Sequence, residues 1–277
     1  MLDLIQITNH PDFARRCDAL DGMRLWVDLE RLGKAERQAG RNSFISSHTL
    51  DDVGRIKAVL RRSRLMVRVN PLNPDTDTEV NAVLAQGADL LMLPMFTEAW
   101  ELQAFCAIVA GRAPVVALLE TSGAFETLPE WVGTPGLQEV YVGLNDLHLS
   151  LRQRFMFEPL ALGLLDGVAR LARAQGLRFG FGGIARLDGG LLPGRDVLAE
   201  HLRLGSQAVI LSRTFHDATT ADGFEREVAA LRDAEHTLAQ RDAAGIEADR
   251  RRIAEAIGHI AATMTTAAMP APGRPAA

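Results

Sequence analysis

Lysine is almost missing from this chain: of its 30 basic residues, only Lys34 and Lys57 are lysines. Cysteine is as scarce, and Cys17 and Cys106 lie far apart with no CxxC or Cys/His ligand spacing. That excludes a disulfide framework and a cysteine-histidine zinc site, and it fits a reducing cytoplasm. The formal net charge is −5 and the sequence has no basic block, so nucleic acid is not an expected partner. No run approaches the ~20 apolar residues of a membrane-spanning helix, so no membrane partner is expected either. The first residues, Met1-Leu2-Asp3-Leu4, carry an acid and no basic stretch, unlike a secretory signal. No GxGxxG turn follows the first apolar run, which removes the dinucleotide-binding fingerprint.

What remains is a chain of 277 residues, 47% apolar, the size of one α/β barrel. Short apolar runs alternate with helical patterns, which reads as repeated βα units around a parallel sheet. Eight strands are predicted, at 4–8, 25–29, 65–70, 90–95, 115–120, 140–145, 178–182 and 208–212. Helices are predicted at 50–62 after an N-capping Thr49, at 77–86 before Gly87, and at 98–110 before Gly111. Two more run over 159–175 before Gly176 and over 196–203 before Gly205. Eight such units predict a single α/β domain, a (β/α)8 TIM barrel over 1–263 with an extra C-terminal helical segment. A disordered tail of Ala, Thr and Pro follows at 264–277. The segment 222–263, with Arg250-Arg251-Arg252, is longer than one closing helix needs. It reads either as a solvated helix pair or as a surface that packs on another subunit, making a homo-oligomer.

Two predicted strands end in carboxylates. The run Val115-Val116-Ala117-Leu118-Leu119 closes in Glu120, and Val140-Tyr141-Val142-Gly143-Leu144-Asn145 closes in Asp146. A buried unpaired charge is costly, so acids at the ends of neighbouring strands call for a cation. The simplest one is a divalent metal with oxygen ligands. In a barrel, functional residues collect at the C-terminal strand ends. Those ends also offer Asp28-Leu29-Glu30, Arg68-Val69-Asn70, Pro94-Met95, Gly182-Gly183 and Ser212-Arg213.

The order Asp28-Leu29-Glu30, Arg68-Val69-Asn70, Leu93-Pro94-Met95, Leu119-Glu120-Thr121 and Gly143-Leu144-Asn145-Asp146-Leu147 resembles the HpcH/HpaI aldolase and citrate lyase β-subunit family, over about residues 25–215. The resemblance implies a phosphoenolpyruvate/pyruvate-type barrel with magnesium or manganese on Glu120 and Asp146. It implies Arg68 beside a keto acid or enolate, with Asp28, Glu30 and Asn145 bordering the substrate. It also implies reversible carbon–carbon cleavage of a 2-oxo acid, or of an acyl-CoA substrate, through an enolate. A chelating metal or a Schiff base on a strand lysine could each stabilise that enolate. With Lys34 in a loop and Lys57 on a helix, the metal route remains. Arg68 can fix a carboxylate by paired hydrogen bonds and offset enolate charge.

Proton transfer has several candidates: His48, after the second strand, is the favoured general base, with His10 and His148 near other strand ends and metal-bound hydroxide as a substitute. Aldolases of this family carry their histidine just after the second strand, whereas here His48 comes later and Asp28-Leu29-Glu30 follows the citrate-lyase-like pattern. Plainer roles stand beside these. Glu120 and Asp146 can serve as polar strand ends, and Arg68 as a structural partner of Asp28 or Glu30. Arg31, Lys34, Arg37 and Arg41 can form a solvated face or a basic lip for a phosphate or CoA ester. A non-catalytic barrel, acting as an assembly or sensing subunit, is the reading from a different class.

Overall fold

The computed structural model describes residues 1–33, 47–215 and 223–264. Lys34, Arg37, Arg41, His216 and the tail from 265 onward fall outside the described residues.

Eight parallel strands close on themselves in chain order. They are β1 (Asp3–Ile7), β2 (Met23–Asp28), β3 (Arg64–Arg68), β4 (Leu90–Leu93), β5 (Val115–Leu119), β6 (Leu137–Val142), β7 (Arg178–Ile184) and β8 (Ala208–Leu211). All eight predicted strands exist, and β1 pairs with β8 to close the ring. Each strand turns one face inward and the other toward the helices, the period of two that extended chain imposes. Ile5, Trp26, Met66, Met92, Val116, Leu118 and Tyr141 pack as an inner cluster. Their neighbours Leu4, Leu25, Val27, Leu65, Val67 and Leu91 belong to the outer core beneath the helices. The Tyr141 hydroxyl donates to Gly182 O at 2.6 Å and accepts from Ile210 N at 2.8 Å, so that polar atom inside the barrel is satisfied.

The helices are α1 (Pro11–Asp18), α2 (Leu50–Lys57), α3 (Thr76–Ala85), α4 (Ala99–Val109), α5 (Ser122–Glu126), α6 (Leu128–Trp131), α7 (Leu144–Ser150), α8 (Glu158–Ala161), α9 (Leu164–Ala174), α10 (Gly194–Leu204), α11 (Gly223–Leu238) and α12 (Ala243–Thr263). Thr49 does open α2, with its backbone N–H donating to the Asp52 carboxylate at 2.7 Å. The helix predicted over 159–175 is instead split into α8 and α9 at Gly163, which takes φ 71°.

One strand end differs in a way that matters. The sixth strand stops at Val142, and Leu144-Asn145-Asp146 enter α7 instead of extending it. Leu144 and Leu147, three apart, are both buried. That is helical spacing, and it outweighs the continuous apolar run that suggested a longer strand. Asp146 therefore sits in the first turn of α7, where the helix N-terminus favours a negative charge.

The opposite end of the barrel is closed by ions. Arg24 meets Glu139 at 2.9 Å and Asp3 at 2.7 Å, and Arg178 meets the same two acids at 3.3 and 2.7 Å. The C-terminal segment forms α11 and α12, and both lie on this chain's own barrel. From α11, Arg232 donates to Leu2 O at 2.8 Å, while Glu235 accepts from Leu2 N at 2.7 Å. Helix α12 buries Ile253, Ile257 and Ala261, and Arg252 is bidentate to Asp196 of α10 at 2.7 and 3.0 Å.

Candidate active site

Asp28 and Arg68 end β2 and β3 and lie directly opposite each other in register. The Arg68 Nε and Nη2 each donate to Asp28 at 2.8 Å, and Nη2 lies 3.2 Å from Glu30. The guanidinium also stands over the Trp26 ring, 4.9 Å from its centroid. Burial by itself would lower the arginine pKa. Asp28 foremost, then Glu30 and Glu120, outweigh burial and hold it well above the ordinary value. Asp28 and Glu30 thus commit two of the three guanidinium nitrogens. Nη1 has no hydrogen-bond partner among the described residues and is the donor edge left for an anion. The structural pairing weighed for Arg68 is therefore present, and it leaves one edge of the guanidinium uncommitted.

Across the barrel mouth stands Glu120, 3% exposed, just past the end of β5. Its Oε1 accepts from the Met95 N–H at 3.1 Å. Burial, then the charge of Asp146, push its carboxyl up to about 8; Glu30 adds to the rise and Arg68 opposes it. Neither Glu120 nor Asp146 makes an ion pair among the described residues. A buried carboxylate beside a second one, neither ion-paired among the described residues, suits a hard divalent ion. Such an ion takes oxygen donors and leaves positions for substrate and water. Among the described residues no group of three or more His, Cys, Asp and Glu is arranged to hold a metal. The protein's share of such a site would be Glu120 and Asp146.

His48 is 5% exposed and lies over the end of β2. Its Nδ1 accepts from the Asp28 N–H at 3.1 Å, a donor that β1, ending at Ile7, leaves without a strand partner. Arg31 Nη2 donates to the His48 carbonyl at 2.9 Å. A ring nitrogen that accepts carries no proton, so the neutral ring carries its proton on Nε2. In that tautomer Nδ1 is engaged by the backbone, and Nε2 is the ring nitrogen through which a proton would move.

The other sequence candidates are placed as follows. Asn145 is exposed in the first turn of α7, beside Asp146. His148 is buried and bonds to Leu144 O at 3.0 Å within its own helix. His10 is exposed at the start of α1, with its backbone N–H on Thr8 Oγ1. Lys57 is bound to Asp89 at 2.6 and 2.7 Å on the outer side of the sheet, away from the mouth. Asn70 stitches the loop after β2, accepting from Arg31 N and Leu32 N at 2.8 and 3.0 Å. The sequence did not single out Trp26, and it offered Met95 and Gly143 only as members of strand-end motifs, with no role of their own.

Comparison with known proteins bears on this geometry. A family model described as HpcH/HpaI aldolase/citrate lyase matches residues 9–158. A (3S)-malyl-CoA thioesterase of Cereibacter sphaeroides is 33% identical over 119 residues, 42% of this chain and 41% of that protein. The chain thus spans about two fifths of the length of the curated relatives it matches. Among solved structures, a citrate lyase from Burkholderia xenovorans LB400 superposes with a TM-score of 0.60 at 14% identity, covering 95% of this chain and 92% of that one. The citrate lyase beta subunit from M. tuberculosis, complexed with oxaloacetate and magnesium, gives 0.57 at 17% identity, covering 84% and 96%. These likenesses are of fold.

Proposed function

We propose, for a chain that belongs to the HpcH/HpaI aldolase/citrate lyase family, a divalent-metal-dependent carbon–carbon lyase acting on a 2-oxo acid through a pyruvate-like enolate. The observation that carries this reading is the buried Glu120 beside Asp146, lacking any cation of its own and facing a clamped arginine. Magnesium or manganese held by Glu120 and Asp146 would supply a Lewis acid for the keto and carboxylate oxygens. Arg68 receives the substrate carboxylate on Nη1 and offsets charge as the enolate develops. Asp28 and Glu30 hold the guanidinium in place, so its donors are already aimed when charge appears. Asn145 borders the open side. As the bond breaks, the hydroxyl proton of the departing carbonyl fragment passes to water and the electron pair of the bond passes into the enolate, after which the His48 Nε2 proton or a water proton returns to carbon.

Oxaloacetate decarboxylation tests the enolate chemistry directly. Turnover should need magnesium or manganese and stop in excess chelator. Glu120→Ala and Asp146→Ala should each lower it by at least ~10²-fold with the far-UV spectrum unchanged. Full activity in chelator, or in either variant, would overturn the reading. The absence of both bound metal and decarboxylation would favour a non-catalytic assembly or sensing barrel.

A second reading, an acyl-CoA ester as substrate, is supported by the similarity to (3S)-malyl-CoA thioesterase. Stabilisation by CoA or acetyl-CoA, with release of free thiol from an acyl-CoA, would favour it. We also place the protein in the cytoplasm, a reading supported by two buried free cysteines. No helix among the described residues is long and apolar enough to cross a membrane. A homo-oligomer formed through the solvent-facing side of α12 completes the proposal, and light scattering would detect it.

A further inference from the structure

We propose that Met95 and Gly143 are positioning residues that fix the Glu120 carboxylate against Asp146; this rests on the metal-site reading above. Three non-glycine residues among those described have left-handed backbone. Ala110 closes α4, and Arg152 follows α7 with its N–H on Leu149 O. Met95, at φ 59°, closes no helix: it follows β4 and Pro94. This conformation is uncommon for a side chain larger than glycine and costs free energy. What it gains is local: the Met95 N–H reaches Glu120 Oε1 at 3.1 Å. The next residue is held as well, because Thr121 Oγ1 donates to Phe96 O at 2.7 Å. The loop after β4 is thereby stitched to the end of β5 by two bonds, one of them on the carboxylate itself.

Gly143 acts from the other side. Its N–H donates to Leu119 O at 2.9 Å, which brings the end of β6 close to the end of β5. A Cβ there would stand 2.8 Å from Glu120 Oε2 and 2.9 Å from Glu120 Cβ. The contact with Glu120 Cβ, one bond from the backbone, cannot be relieved by a moving chain end, and the one with Oε2 is relieved only by moving the carboxylate itself. Gly143 is also the residue at which strand becomes helix, three positions before Asp146. One residue therefore leaves space for the first carboxylate and starts the turn that presents the second. Oε1 is committed to the Met95 amide, and Oε2 lies along Gly143, on the side of β6 and α7.

Manganese binding, read by water proton relaxation on the purified protein without substrate, tests this apart from activity. Met95→Gly reaches the left-handed region easily and keeps the amide, whereas Met95→Val keeps an apolar side chain but resists that backbone. Met95→Gly should bind manganese within about twofold of wild type. Met95→Val and Gly143→Ala should bind about 10- to 100-fold more weakly, the range for partners that orient a metal ligand. Gly143→Ala can also disturb folding, so the Met95 pair carries the decision, with thermal melts recorded for all variants. Equal binding by Met95→Val and wild type, or equal loss in Met95→Gly and Met95→Val, would overturn the proposal. If wild type itself fails to bind manganese, both this assignment and the metal-site reading fall; if wild type binds and the pair does not differ, only this assignment falls.

Discussion

At Arg68 a structural role meets the proposed chemical one. Its Nε and Nη2 are spent on Asp28, and the flat face lies over Trp26. A lysine cannot reproduce that fork, because an ammonium is a point charge without a fixed plane. Arg68→Lys should therefore lose about 10²- to 10³-fold in kcat/KM for oxaloacetate decarboxylation, nearly as much as Arg68→Ala. Steady-state kinetics checks this, and substantial rescue by lysine would show that charge alone suffices. Glu120 carries a different signature. Its carboxyl is raised from 4.5 to about 8, so the folded protein holds that proton more tightly than the unfolded chain does. The sign follows from linkage. Stability from this group is full below about 4.5, declines as pH rises toward about 8, and levels off beyond. A divalent ion competes with that same proton. The rise in melting temperature on adding manganese should therefore grow from pH 5.5 to pH 8 and be absent in Glu120→Gln. Chemical identity made both residues legible in the sequence, as a basic and an acidic residue at apolar strand ends. The tautomer of His48 was not legible, because it depends on which N–H a neighbouring strand leaves unpaired.

The elements hold information that single residues do not. Helix α10 lies against β7 through His201, whose ring stacks on Phe181 with centroids 3.7 Å apart. Nδ1 is bonded to Ser206 at 2.8 Å, while Nε2 is buried without a hydrogen-bond partner among the described residues. Burial pushes this imidazole from 6.5 down to about 3. The group is thus neutral when folded but binds a proton below about 6.5 once unfolded. Its contribution to stability is complete above that value and is lost as pH falls toward 3. Replacing it by phenylalanine should move the midpoint of acid unfolding to lower pH, measured by tryptophan fluorescence; an unchanged midpoint would show that other groups set the acid limit. The eight strands and helices α2, α3, α4 and α10 were readable from periodicity and from the glycines that follow the last three, whereas α1 and the short α5, α6 and α7 were not predicted. The end of β6 was misread because a buried apolar run has the same appearance as strand and as the first turn of a buried helix.

At the scale of the whole molecule, the barrel has its candidate site at one end and its ionic plug at the other. Arg24, 3% exposed, joins strands β1, β2 and β6 through Asp3 and Glu139. Removing one member of a buried pair strands its partner's charge, which costs about 3–5 kcal/mol. Arg24→Met should lower unfolding free energy by that order in urea, and the double variant Arg24→Met, Glu139→Leu should recover much of it. A double variant as unstable as the single one would mean that the packing of the arginine, rather than the stranded charge, accounts for the loss. The plug joins residues 3, 24, 139 and 178, so nothing in local sequence announces it. Alternating apolar runs, their glycine-closed helices, and acids placed where a buried strand has no use for them were enough to specify eight βα units and to point to one barrel end as the candidate site. Those features are local, set by how each element buries its own side chains. The tertiary structure decided that Asp28 and Glu30 would both hold Arg68, that a left-handed Met95 and a bare Gly143 would frame Glu120, and that Asp146 would come from a helix turn. These contacts cross between neighbouring strands, and a sequence pattern records the burial of each element but not where side chains from different elements converge.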